Sequence, residues 1–109
     1  MITIHGKEMD FDIYDFETAR RYEQGLQKLQ GFSTEGKTLP EVIREQCEAV
    51  NAFFDDLFGE GTARALFGGK YNLTRCLDAI RTLQDSVQEQ GDKYRALYSR
   101  YIPARHAKK

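Results

Sequence analysis

The chain has 109 residues, of which 40% are hydrophobic and 30% charged, with a formal net charge of -1. That length suits one hydrophobic core and is too short for two, and the composition is that of a globular domain rather than a disordered one. No apolar run approaches the roughly eighteen residues of a membrane span, and MITIHGKEMD lacks the apolar stretch of a secretion signal, so the expectation is a cytoplasmic protein without membrane contact.

Charge is spread unevenly. Residues 1–60 carry 13 acids against six bases, residues 61–92 carry four of each, and residues 93–109 carry six bases and no acid. A basic end of this kind suits nucleic acid, an acidic partner, or the acidic half of another copy. The only cysteines, Cys47 and Cys76, fall on apolar helix phases and read as reduced core thiols.

In chain order, Ile2 and Ile4, then Met9, Phe11 and Ile13, alternate with polar residues on either side of His5-Gly6-Lys7. This predicts a hairpin over residues 1–14 with that tripeptide as its turn. Residues 15–101 read as helical. Asp15 caps a first helix with Phe16, Ala19, Tyr22, Leu26 and Leu29 on its apolar face. The polar segment GFSTEGK, 31–37, is a loop.

Thr38-Leu39-Pro40-Glu41 is a capping box with proline in the first turn. The helix it opens carries Leu39, Val42, Ile43, Cys47, Val50, Phe53, Phe54, Leu57 and Phe58, and Gly59 should close it as a left-handed residue. Thr62 to Phe67 allows one short helix, stopped by Gly68-Gly69. Asn72 caps the last helix, with Tyr71 placed to staple onto Cys76. From Leu73 the apolar phase persists across Gly91 to Tyr101, which predicts a helix of roughly 40 Å at about 1.5 Å per residue. Its end should project from the body. Residues 102–109 form a basic tail.

The fold class is therefore mainly α with a short N-terminal β-hairpin (α+β), a single small helical domain with a long C-terminal helix.

Four glycines between Phe53 and Cys76 invite a phosphate-loop reading. Gly69-Lys70 matches the end of such a loop, but Arg64 stands where its first glycine belongs and Tyr71 where its hydroxyl residue belongs. The dinucleotide spacing begun by Gly59 and Gly61 fails at the same arginine. These glycines read as helix punctuation. Asp55, Asp56 and Glu60 lack the alternating spacing of a calcium loop. His5 and His106 lie at opposite ends, without a zinc-type cluster or a partnered nucleophile. The expectation is a protein that is no enzyme and uses no cofactor or metal.

The ending YRALYSRYIPARHAKK is more informative. Tyr94, Leu97, Tyr98 and Tyr101 share one helix face, with Arg95 and Arg100 beside them and Arg105 beyond. Tyrosine and arginine are enriched at protein interfaces, which makes these seven residues the candidate protein-binding set. Aromatics interleaved with arginines also stack nucleic-acid bases, although the acidic front half repels a polyanion.

The hairpin running into DFDIYDFETARRYE, the segment IREQCEAVNAFFDDLFGEGTARALFGGKYNLTRCLDA, and the ending YSRYIPAR together resemble a family of small proteins from prophages and siphophages of Gram-positive bacteria. The resemblance covers nearly the whole chain, and FFDDLFGEGTA and NLTRCLDA are its specific parts. It implies a tail assembly chaperone, which associates with tape-measure and tail-tube proteins during tail building and is absent from the finished particle. Family members end Y-[ST]-P-x-R; here Tyr101-Ile102-Pro103-Ala104-Arg105 has isoleucine in place of the small polar residue.

An assembly chaperone needs an apolar groove or an exposed helix face. The end of the last helix offers a face, and Phe53, Phe54, Leu57, Phe58, Leu66 and Phe67 offer a groove. Self-association through the long helix is a further expectation. Two other classes fit the same residues: a phage-encoded inhibitor or adaptor that occludes a host protein, and a nucleic-acid binder using the tyrosine stripe.

Overall fold

A computed structural model describes residues 1–31 and 33–101, the last of these by its backbone alone. The tail 102–109, with Arg105 and His106, lies outside the described residues, as does the side chain of Tyr101. The chain forms β1 (Ile2–Ile4), β2 (Lys7–Met9), α1 (Phe16–Leu29), α2 (Leu39–Phe58), α3 (Thr62–Phe67) and α4 (Leu73–Tyr101). This is a mainly helical fold with a short antiparallel hairpin at its N-terminus.

The hairpin is shorter than the alternation predicts. Ile2 pairs with Met9, Thr3 with Glu8 and Ile4 with Lys7. Lys7 therefore belongs to β2, and the turn is His5-Gly6 alone, with φ of 49° and 82°. Positive φ at both central residues gives the twist that closes a two-residue hairpin. Phe11 and Ile13 keep the apolar alternation but leave the sheet, because α4 supplies their backbone with a different partner. The Gln90 side chain accepts from the Ile13 N–H at 2.8 Å and donates to the Phe11 carbonyl at 2.9 Å. It also donates to Ser86 Oγ.

The helix starts follow the capping chemistry. Asp15 accepts from the Thr18 N–H, and Thr38 and Glu41 complete their reciprocal box. Hydrogen bonds from Thr38 hold the Glu41 carboxyl below its ordinary pKa. Asn72 accepts from the Arg75 N–H. Tyr71 gives its hydroxyl to Glu48 of α2, an exposed hydrogen bond that the staple reading did not include.

Gly59 departs from the left-handed conformation expected of it. Its φ of 117° and ψ of 153° lie in an extended region open essentially to glycine. This sends the chain off so that α3 can begin within three residues. α3 has no cap from its own N-cap side chain; Asp55 of α2 accepts from the Ala63 N–H at 2.8 Å in its place. At the other end, Arg75 of α4 donates to the Leu66 carbonyl. Two neighbouring helices thus satisfy both ends of α3.

α2 is the central element and packs against α1, α3 and α4. Its Phe54 is wholly buried, with its ring against Phe53, Phe58 and Phe67. Phe53, Leu57, Leu66 and Phe67 are buried too, and Phe58 packs on them. This corrects the expectation of a binding groove there: those aromatics are the core. The apolar phases also overreach at three points, since Phe16, Leu39 and Leu77 are exposed. Phe16 and Leu39 begin their helices, where no neighbouring element covers the first turn.

α1 crosses α2 at Gly25. A Cβ built there would lie 2.1 Å from Cδ1 of Phe53, so only glycine lets the helices approach this closely. Gly91 of α4, which is buried, is different: an added Cβ would meet Arg95 Nη1 at 3.6 Å and the Tyr14 hydroxyl at 3.7 Å, ordinary contacts. α4 runs unbroken through it.

Cys47 and Cys76 are free thiols with no solvent exposure, side by side between α2 and α4. Burial pushes the Cys76 thiol up to about 12, and the neighbouring Cys47 adds to the shift.

Two predictions follow from this packing. Gly25→Ala should destabilise by about 1–2 kcal/mol, because overpacking outweighs the roughly 1 kcal/mol that alanine gains in a helix. Gly91→Ala should gain about 0.5–1 kcal/mol, and urea unfolding of the two variants measures the contrast. The second concerns pH. The unfolded Cys76 thiol ionises near its ordinary 9.0 while the folded one stays neutral to about 12, so its contribution is complete below the first value and lost as pH rises toward the second. The urea midpoint should fall across that window, and Cys76→Ala should flatten the decline.

Candidate functional site

Beyond Gly91, α4 leaves the body. Every described side chain from Asp92 to Arg100 is exposed except Tyr98, which is half-buried. At about 1.5 Å per residue, the stretch from Asp92 to Tyr101 carries the helix roughly 15 Å past its last buried position. Of the seven residues predicted to bind protein, five have described side chains: Tyr94, Arg95, Leu97, Tyr98 and Arg100. Tyr101 is placed by its backbone within α4.

The structure adds a residue that the sequence reading left out. Tyr14, 53% exposed, stacks on Tyr94 with ring centroids 4.4 Å apart and planes 14° from parallel. Tyr98 follows at 5.7 Å from Tyr94. Local bonds set Tyr14 there: its N–H donates to Asp12 Oδ1, the Asp15 N–H donates to the Asp12 carbonyl, and Gln90 anchors Ile13 just before it. The result is an aromatic ladder of Tyr14, Tyr94 and Tyr98, bordered by Leu97, which is 52% exposed.

A shallow depression of about 350 Å³ lies along Tyr94, Arg95, Tyr98 and Ser99. Tyr94 is 41% exposed, so the stack with Tyr14 leaves much of its ring in water. Asp92 pairs with Arg95 one turn along, which draws that guanidinium along the helix. The face can therefore bury apolar and aromatic surface.

Other candidates resolve into structural roles. A cleft of about 510 Å³ sets Arg20, Arg21 and Lys28 of α1 against Asp55, Asp56 and Glu60. Asp55 is committed to the start of α3, Arg20 to Glu17, and Arg21 to Glu17 and the Asp56 carbonyl. Gly68-Gly69-Lys70 is the turn after α3, closed by the Lys70 N–H on the Phe67 carbonyl. His5 donates from Nε2 to the Arg75 carbonyl and sets its ring edge-on to Phe67. Among the described residues no three His, Cys, Asp or Glu side chains converge as metal ligands, and no helix is long and apolar enough to cross a membrane.

Gln90 and Tyr14 escaped the sequence reading for different reasons. An amide in the middle of a polar helical stretch carries no signal of the distant backbone it will bind. Tyr14 gave a weak one, an aromatic just before a helix cap on the outward phase of the alternation.

No curated protein and no solved structure matches the chain. Residues 5–109 match a family described only as a family of unknown function, DUF6673, and the chain belongs to that family.

Proposed function

We propose that the protein is a small, non-enzymatic binding protein of the host bacterial cytoplasm that acts as a tail assembly chaperone, holding a tape-measure or tail-tube component during assembly. The observation that carries the binding reading is the aromatic ladder of Tyr14, Tyr94 and Tyr98, with Leu97 beside it, on the part of α4 that runs past the core. Exposed apolar surface of this kind marks interaction sites, and a groove or helix face is how an amphipathic helical client is held. The assembly role itself comes from the sequence resemblance. Lys93, Arg95 and Arg100 along the same stretch suit a client helix with acidic positions flanking its apolar stripe.

A Tyr94→Ser/Leu97→Ser double variant tests this. Both residues lie outside the buried core, so helix content by circular dichroism should persist. Capture of co-expressed tape-measure or tail-tube protein should fall at least tenfold, the scale of losing one or two aromatic or aliphatic anchors at about 1–2 kcal/mol each. Undiminished capture overturns the assignment of this face. Oligonucleotide binding that weakens steeply with salt and vanishes in the variant would replace it with a nucleic-acid role.

A further inference from the structure

A second surface lies apart from the aromatic ladder. Where α1, α2 and α4 splay, Leu26 and Leu29, Val50, and Leu77 and Ile80 line a groove of about 190 Å³, with Gln30, Gln46 and Gln84 as its polar members. Among the described residues, no charged one lines it. Leu77 on its wall is 52% exposed, although it lies on the apolar phase of its helix. The volume falls below the roughly 300 Å³ at which small-molecule pockets begin, so the groove suits one or two side chains. Apolar walls with amides beside them suit a leucine, or a tyrosine whose hydroxyl finds an amide.

The exposed Leu97 and Tyr94 on α4 are side chains of this kind. They cannot reach the groove of their own chain. Leu77 and Leu97 stand on one continuous helix, about 30 Å apart along its axis. A second copy has no such restriction, and charge selects how it approaches. Residues 93–109 carry six bases and no acid, whereas α1 and α2 together carry seven acids against four bases, the excess lying on α2. Two α4 ends laid side by side would bring like charges together; an α4 end laid on another copy's body brings opposite ones together.

We infer that the groove between α1, α2 and α4 receives the Leu97 and Tyr94 side chains from the α4 end of a second copy, in a head-to-tail contact. This rests on the reading of the α4 end as a binding face and adds its acceptor on the same chain. Donor and acceptor are different surfaces, so the contact is heterologous and leaves one of each unused on every pair. A client on the α4 end competes with the neighbouring copy.

Leu77→Arg places a cation in the groove, where it opposes the basic α4 end, at a residue exposed enough to leave the fold intact. Gln84→Lys on the same wall replaces it if circular dichroism shows lost helix. Sedimentation equilibrium at low salt should show the unaltered chain self-associating, with affinity falling as salt is added. Leu77→Arg and Tyr94→Ser/Leu97→Ser should each associate at least tenfold more weakly. An equimolar mixture of the two should regain a 1:1 dimer, because one supplies an intact α4 end and the other an intact groove. A monomeric unaltered chain, a Leu77→Arg chain that associates normally, or a mixture that fails to pair each overturns the inference. Leu77→Arg should still capture tail proteins. A chain that pairs in this way but captures no tail protein supports the groove while the client reading falls.

Discussion

The side chain of Gln90 acts as a strand partner for a segment that has none. Its carbonyl oxygen accepts from the Ile13 N–H and its NH2 donates to the Phe11 carbonyl, as a peptide group on a neighbouring strand would, with a further bond from the same NH2 to Ser86 Oγ. A hairpin of two three-residue strands is too small to be stable alone. Here β1 rests on α4, and Gln90 fastens the chain leaving β2 to the same helix. Phe11 is thereby driven against Tyr22 and Phe58, and Tyr14 is brought over Gly91 onto Tyr94. One glutamine links the first dozen residues to the far end of the last helix. That link, with the Asp12 bonds beside it, brings Tyr14 to the tyrosines of α4.

The other half of the architecture is arranged around α2. Its aromatic residues fill the space to α1 and α3, while its thiol-bearing side meets α4. Gly25 permits α1 to come close on one flank, where the Phe53 ring occupies the space a Cβ would need. The helices then diverge toward Leu26, Leu29 and Leu77, and the groove opens where they part. α4, fastened at Gln90 and at Cys76, extends for a further two to three turns, with Tyr14 stacked on its Tyr94.

Helix starts were legible because they are local: Asp15, Thr38 with Glu41, and Asn72 each satisfy backbone groups within three residues. The continuity of α4 was legible because the apolar phase held on both sides of Gly91. Where the hairpin ends was not, since Phe11 and Ile13 obey strand alternation while their hydrogen bonds go to a residue more than seventy positions away. The exposure of Leu77 was also beyond reach, because helical phase tells which side a residue faces and not whether another helix arrives to cover it. The same gap made Phe53 to Phe67 resemble a groove. For the candidate site, Tyr94, Leu97 and Tyr98 were legible as a stripe, but Tyr14, which completes it, depended on tertiary contacts.

The buried pair Cys47 and Cys76 has a consequence for how the protein would be observed in motion. Both thiols have no exposure, and the Cys76 thiol is held in its unreactive neutral form. Reagents that need a thiolate can act only when α2 and α4 separate enough to admit water. The rate of modification would then count separations of the central helix from the long one, a subglobal opening whose free energy need not equal that of global unfolding. The chain carries its own reporter of that opening.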